Sequence, residues 1–223
     1  MTCSTAVVSI KIKKGLCWSM LCIVIFLISF FIHECGHGLA NSLRGINCST
    51  GFNRVGDSFK YPNDIDFREE YSSSETGLLD FGVPATLSLA IVGTIGFYKT
   101  KRRGKIICLA FAITNSLIRL IPCVCVILIP LITSKTHVED EYETGLVLAR
   151  ITKISGTVYF PAILSILISI ICIVFLLNRL KTSVSVRAVW GYGLLTFVSF
   201  GVAVMIANML DNIIRINWVG MIT

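Results

Sequence analysis

Residues 16–40 read Leu16-Cys-Trp-Ser-Met-Leu-Cys-Ile-Val-Ile-Phe-Leu-Ile-Ser-Phe-Phe-Ile-His33-Glu34-Cys35-Gly36-His37-Gly38-Leu39-Ala40. An uncharged run from Leu16 to Ile32 ends directly in the pattern H-E-x-x-H. As a helix, that run is about 26 Å long at 1.5 Å per residue. That places His33 near the far edge of a hydrocarbon layer about 30 Å thick. Helix positions i and i+4 share a face about 6 Å apart, so His33 and His37 can bind one metal ion. Glu34, beside the first ligand, can then take a proton from a water at that metal. The chain has three histidines and two are here; with seven glutamates in 223 residues, chance yields the pattern roughly once in a thousand such chains. The expectation is a zinc site at the end of a membrane-spanning helix.

Working outward, the composition carries the membrane half of that expectation. Hydrophobic residues make up 54% and charged residues 15%, against about 25% charged in ordinary soluble domains, and the mean hydropathy is +0.79. Five stretches are long enough to cross a bilayer, which takes about 20 residues: 16–40, 78–98, 106–133, 157–177 and 188–210. The sequence therefore predicts an all-α membrane protein, a polytopic bundle of about five transmembrane helices with a short polar outer loop region. Residues 1–223 are expected to form a single integral membrane domain. Ionisable groups inside spans are functional candidates by default, which singles out Glu34, the two histidines, Asp80 and Arg119.

Net charge is +7, and its distribution argues for topology rather than nucleic-acid binding. Lys11, Lys13 and Lys14 precede the first span. Lys99, Lys101, Arg102, Arg103 and Lys105 lie between the second and third, and Arg179, Lys181 and Arg187 between the fourth and fifth. Those eleven bases have no acid among them, so the positive-inside rule predicts a cytoplasmic N-terminus and cytoplasmic basic loops. No basic face interleaved with aromatics suits nucleic acid. The first span is too long for a signal-peptide core and no small-x-small cleavage site follows, so it is read as retained. Nine cysteines scattered through apolar sequence do not make a disulfide framework, and Cys35 points off the histidine face.

The segment 44–77 holds six acids and a Ser72-Ser73-Ser74 run, and is expected to form short strands or turns over the outer mouth of the site or a loop without function. The next connection on that side, 134–155, contains His137-Val-Glu139-Asp140-Glu141-Tyr142-Glu143. A tetrahedral zinc held by two histidines needs a third protein ligand and an open position. Asp140 is the first candidate, Glu141 the second and His137 the third. Glu143, one helical turn past Asp140, is a candidate to support that ligand. In the third span, Asn115, Arg119 and Pro122 recur at i, i+4 and i+7 on one helix face. Arg119 needs an acidic partner in hydrocarbon, either Asp80 or an acid of 139–143; it or Asn115 could instead meet substrate, Arg119 by stabilising an oxyanion. Pro122 and Pro130 free backbone carbonyls, as suits a polar cavity.

The setting Phe31-Ile32-His33-Glu34-Cys35-Gly36-His37-Gly38-Leu39-Ala40 resembles the site-2-protease family of intramembrane zinc metalloproteases. Gly82-Val83-Pro84-Ala85-Thr86 is similar to the small-residue span those proteins carry next. Asn115 and Pro122 echo their Asn-x-x-Pro element, although they are seven residues apart rather than three, and Asp140 would be the aspartate ligand, although no Leu-Asp-Gly follows. The resemblance covers roughly residues 25–145 and implies a divergent, minimal member. It implies a metalloendopeptidase whose Glu34 activates water on Zn²⁺ held by His33, His37 and Asp140, and whose substrates are polypeptides in or at the lipid bilayer. Two alternatives remain. A membrane gluzincin of the prenyl-protein-processing or HtpX-like kind would use Glu141, in Glu141-Tyr142-Glu143. A transporter, channel or scaffold retaining a metal site would not require Glu34.

Overall fold

The computed structural model describes residues 2–56, 81–181, 185–211 and 213–219. Asp80 and most of the acidic segment 44–77 lie outside these residues. The chain forms α1 (Thr2–Ser42), β1 (Cys48–Thr50), β2 (Val55–Gly56), α2 (Gly82–Lys99) and α3 (Arg102–Thr133). There follow α4 (Asp140–Thr152), a 3₁₀ turn (Ser155–Tyr159), α5 (Phe160–Leu180), α6 (Val186–Leu210) and β3 (Ile216–Trp218). Among the described residues, four segments are long and apolar enough to cross a membrane: Lys14–Ser42, Arg103–Thr133, Ser155–Leu180 and Val186–Leu210. The protein is an all-α polytopic membrane bundle. The expected second span corresponds to α2, an 18-residue helix not among those four. Gly82, Pro84, Thr86, Ser88, Gly93, Thr94 and Gly96 dilute its apolar content.

The small residues of α2 serve packing instead. A Cβ on Gly93 would come within 2.7 Å of the Ala112 nitrogen, and one on Gly96 within 2.7 Å of Cys108 Sγ. Close backbone approach of this kind is how helices associate in lipid, where the surrounding tails are as apolar as the side chains and no hydrophobic force drives helices together. α2 and α3 form a tight antiparallel pair, and Tyr98 Oη donates to the Phe175 carbonyl at 2.7 Å to join α2 to α5.

α1 shows how one helix divides lipid from interior. Leu16, Met20, Val24 and Ile28 recur at i+4 and are exposed. Trp18, Cys22, Phe26, Phe30, His33 and His37 line the opposite, buried face. That face packs on α6, where Phe200 meets Phe26 and Phe30 with ring centroids 5.4 and 6.0 Å apart. Trp18 Nε1 donates to Thr196 Oγ1 at 2.9 Å. These pairs advance together along both chains, so α1 and α6 run parallel. With α2 antiparallel to α3 and parallel to α5, the basic connections gather at one end of the bundle. The histidines and the acids of 139–143 gather at the other.

At that acidic end a small antiparallel sheet, in the order β2-β1-β3, covers the end of α1. The sequence reading anticipated short strands after α1 but not that the C-terminal β3 would return to pair with β1, Cys48 opposite Trp218. Trp218 lies against Gly38, where the ring leaves no space for a Cβ, and donates from Nε1 to Thr50 Oγ1 at 2.8 Å. Asp211, fully buried at the end of α6, accepts the Phe52 and Asn53 amides at 2.7 and 3.1 Å and pairs with Arg54 at 3.3 Å. Arg215 donates to Ser49 Oγ and to the Ser49 carbonyl at 3.0 and 2.8 Å. The sheet is thereby tied to the helix that packs beside α1.

Candidate metal centre

α1 continues unbroken through residues 33–37, so His33 and His37 stand one turn apart, both 6% exposed. Their Nε2 atoms face each other at 3.2 Å. Asp140 opens α4 and places Oδ2 at 2.9 Å from His33 Nε2 and 3.7 Å from His37 Nε2. Two imidazole nitrogens and a carboxylate oxygen thus form a triangle with edges of 2.9, 3.2 and 3.7 Å. Donors each 2.0–2.1 Å from one tetrahedral zinc lie about 3.3–3.4 Å apart, so the edges bracket that spacing. His33, His37 and Asp140 could together hold a metal ion. Three groups that offer lone pairs, packed this closely, repel one another unless a cation or a proton lies between them.

Close contact at α2 sets the position of His33. A Cβ on Gly82 would meet His33 Nδ1 at 2.7 Å, and one on Gly36 would meet the Gly82 nitrogen at 2.6 Å. The start of α2 therefore presses on the turn between the two histidines, and two glycines make the approach possible.

The third corner is set by α3. Arg119 is 5% exposed, and its Nη1 lies 3.5 Å from Asp140 Oδ2 and 3.3 Å from Glu141 Oε1. The sequence left Arg119 a choice between Asp80 and the 139–143 cluster; among the described residues it meets Asp140 and Glu141. Asn115, four residues earlier, is fully buried and donates from Nδ2 to the Phe111 carbonyl at 2.9 Å. Its Oδ1 has no partner among the described residues. Pro122 and Pro130 lie inside α3, where each removes the hydrogen bond to a carbonyl four residues back.

The alternative third ligands fall elsewhere. Glu141 is 1% exposed and turned to Arg119, not to the histidines. His137 Nε2 pairs with Glu139 Oε1 at 3.1 Å. Glu143 sits one turn beyond Asp140 and is half-buried. Asp140, Glu141 and Glu143 occupy the first turn of α4, where the exposed amides of a helix start favour negative charge. Burial opposes ionisation of Asp140, yet its contacts with His37 and His33 hold the carboxyl well below the usual carboxylate range. Burial pushes the Glu139 carboxyl up, reinforced by the neighbouring Asp140 charge.

Glu34 follows His33 on α1, half-buried, with His33, His37 and Asp140 among the charged groups that act on it. Cys35 is half-buried outside the donor triangle, and the eight described cysteines other than Cys3 are free thiols. Sequence reasoning missed that one Arg119 nitrogen meets both adjacent carboxylates, and it missed the Asp211 anchor. The signal for the second was Asp211 at the end of a span with Arg215 four residues on. Compared with family models, curated proteins and solved structures, the chain finds no match in any of the three.

Proposed function

We propose that this protein is an intramembrane zinc metalloprotease, a divergent relative in character of the site-2-protease family, hydrolysing peptide bonds of membrane-associated polypeptides. The observation that carries this reading is the His33–His37–Asp140 triangle, of zinc-binding dimensions, on a helix whose next residue after His33 is a glutamate. A purely structural zinc needs the histidines but has no use for that glutamate.

His33, His37 and Asp140 would hold the ion. A bound Zn²⁺ supplies Lewis acidity, polarising a carbonyl and bringing the pKa of a water toward about 7. Glu34 accepts the proton of the attacking water as its oxygen bonds to the scissile carbonyl carbon. The same carboxyl returns that proton to the departing amine as the C–N bond breaks. Water reaches the site along Asp140, whose side chain is 28% exposed while the imidazoles are buried. A substrate must be unwound locally, because a transmembrane helix engages its own carbonyls in hydrogen bonds.

The direct test is metal content and proteolysis of the chain in proteoliposomes. One zinc per chain is expected, with cleavage of a transmembrane peptide abolished by a chelator and restored by added zinc. Cleavage that persists at zero metal would sink the proposal. We also propose that the N-terminus and the basic end face the cytoplasm, from the separation of charge. A cysteine at Lys101 should label from the cytoplasmic side only and one at Lys135 from the opposite side only; the reverse pattern inverts the topology.

A further inference from the structure

We infer that Glu141 is a positioning residue that acts through Arg119 to make Asp140 the third metal donor. The inference rests on the metal-centre reading above and says what selects between two adjacent carboxylates. Asp140 and Glu141 are neighbours in the first turn of α4, and neighbouring helical side chains project about 100° apart. Only one of them can face the histidines. In chemical type either would serve as a ligand.

The guanidinium makes the selection. One nitrogen, Arg119 Nη1, contacts Glu141 Oε1 at 3.3 Å and Asp140 Oδ2 at 3.5 Å. Glu141 is almost fully buried, so its charge is tolerable only while Arg119 faces it. That requirement fixes the rotation of α4 about its axis and directs Asp140 at His33 and His37. Gly145 holds the same rotation one turn on, where it packs so closely on the Val158 carbonyl that no Cβ fits. Without Glu141, Arg119 would rest its whole charge on Asp140 Oδ2, the atom that also lies 2.9 Å from His33 Nε2. The pair thus leaves Asp140 oxygen density for a metal that Arg119 would otherwise share. Interactions of this kind, one shell out from a ligand, commonly change metal affinity by about 10–100-fold.

The experiment uses the full-length chain in nanodiscs, with zinc affinity read by competition with a chromophoric chelator and coordination read from the visible spectrum of the Co²⁺-loaded protein. Folding is monitored by thermal melting. Glu141→Gln, which keeps shape but removes charge, should weaken zinc binding about 10–100-fold and alter the Co²⁺ spectrum while the chain stays folded. The double variant Arg119→Met/Glu141→Met removes the buried pair without orphaning either charge, so it should melt no lower than wild type. It should nevertheless lose zinc affinity, because α4 is no longer held in rotation, but by less than Glu141→Gln, in which the unpaired Arg119 also draws on Asp140. Should it fail to fold, Arg119→Lys carries the comparison, since lysine keeps the charge without the planar fork. Wild-type zinc affinity and an unchanged Co²⁺ spectrum in folded variants would reduce the pair to a structural role and overturn the inference. Absence of zinc binding by the wild-type chain would overturn the metal-centre reading instead.

Discussion

Glu34→Gln is expected to slow turnover by roughly 10²–10⁴-fold while leaving zinc in place. Glutamine is isosteric with glutamate and Glu34 is not one of the three donors, so His33, His37 and Asp140 should keep their 2.9–3.7 Å spacing. What disappears is the only group on this stretch of α1 able to take a proton from water beside the histidines. General-base catalysis contributes roughly 10²–10⁴-fold, or about 3–5 kcal/mol of barrier at 1.36 kcal/mol per decade. The measurement is peptide cleavage in proteoliposomes beside zinc content for the same preparations. Loss of rate within that range at one zinc per chain is the expected result. Equal rates in wild type and variant would remove Glu34 from the mechanism, and loss of zinc along with rate would make it a structural residue.

Asp140→Ala should act by the other route, through the metal. The variant leaves two imidazoles with no third protein donor, and outer partners alone change affinity by about 10–100-fold. Loss of a donor itself should therefore exceed about 10²-fold, leaving the purified chain metal-free and inactive. The fold should survive, because Arg119 keeps Glu141 at 3.3 Å. Glu139→Ala is the control, since its carboxylate pairs with the partly exposed His137 and is not one of the three donors, and its zinc affinity should stay within about twofold of wild type. If Asp140→Ala retains zinc while Glu141→Ala loses it, the ligand is Glu141, and the gluzincin alternative gains accordingly.

The two predictions differ in how much of their basis the linear sequence supplies. Glu34 and the histidines were legible because their geometry is local. A helix fixes the i, i+4 relation whatever surrounds it, and an apolar run of this length specifies the helix. The separation of bases from acids was legible for a similar reason, since each span reverses the chain. The third corner was legible only as a shortlist. His137, Glu139, Asp140, Glu141 and Glu143 are equivalent by composition, and nothing within seven residues separates a ligand from its neighbour.

The sequence by itself determined a helical membrane bundle, the position of the histidine pair at the end of its first helix, and the glutamate that follows the first of them. All three follow from periodicity and hydrophobic length, which act over a few turns of one helix. The tertiary structure decided that Asp140 completes the triangle and Glu141 does not. It also decided that Gly36 and Gly82 bring α2 against His33, and that β3 returns from the C-terminus to close over α1. The physical reason is that each of these depends on a partner distant in the chain. A buried guanidinium on α3 must be neutralised, a backbone needs a neighbour without a Cβ, and a strand edge must find its pair, and none of these leaves a mark in the local pattern.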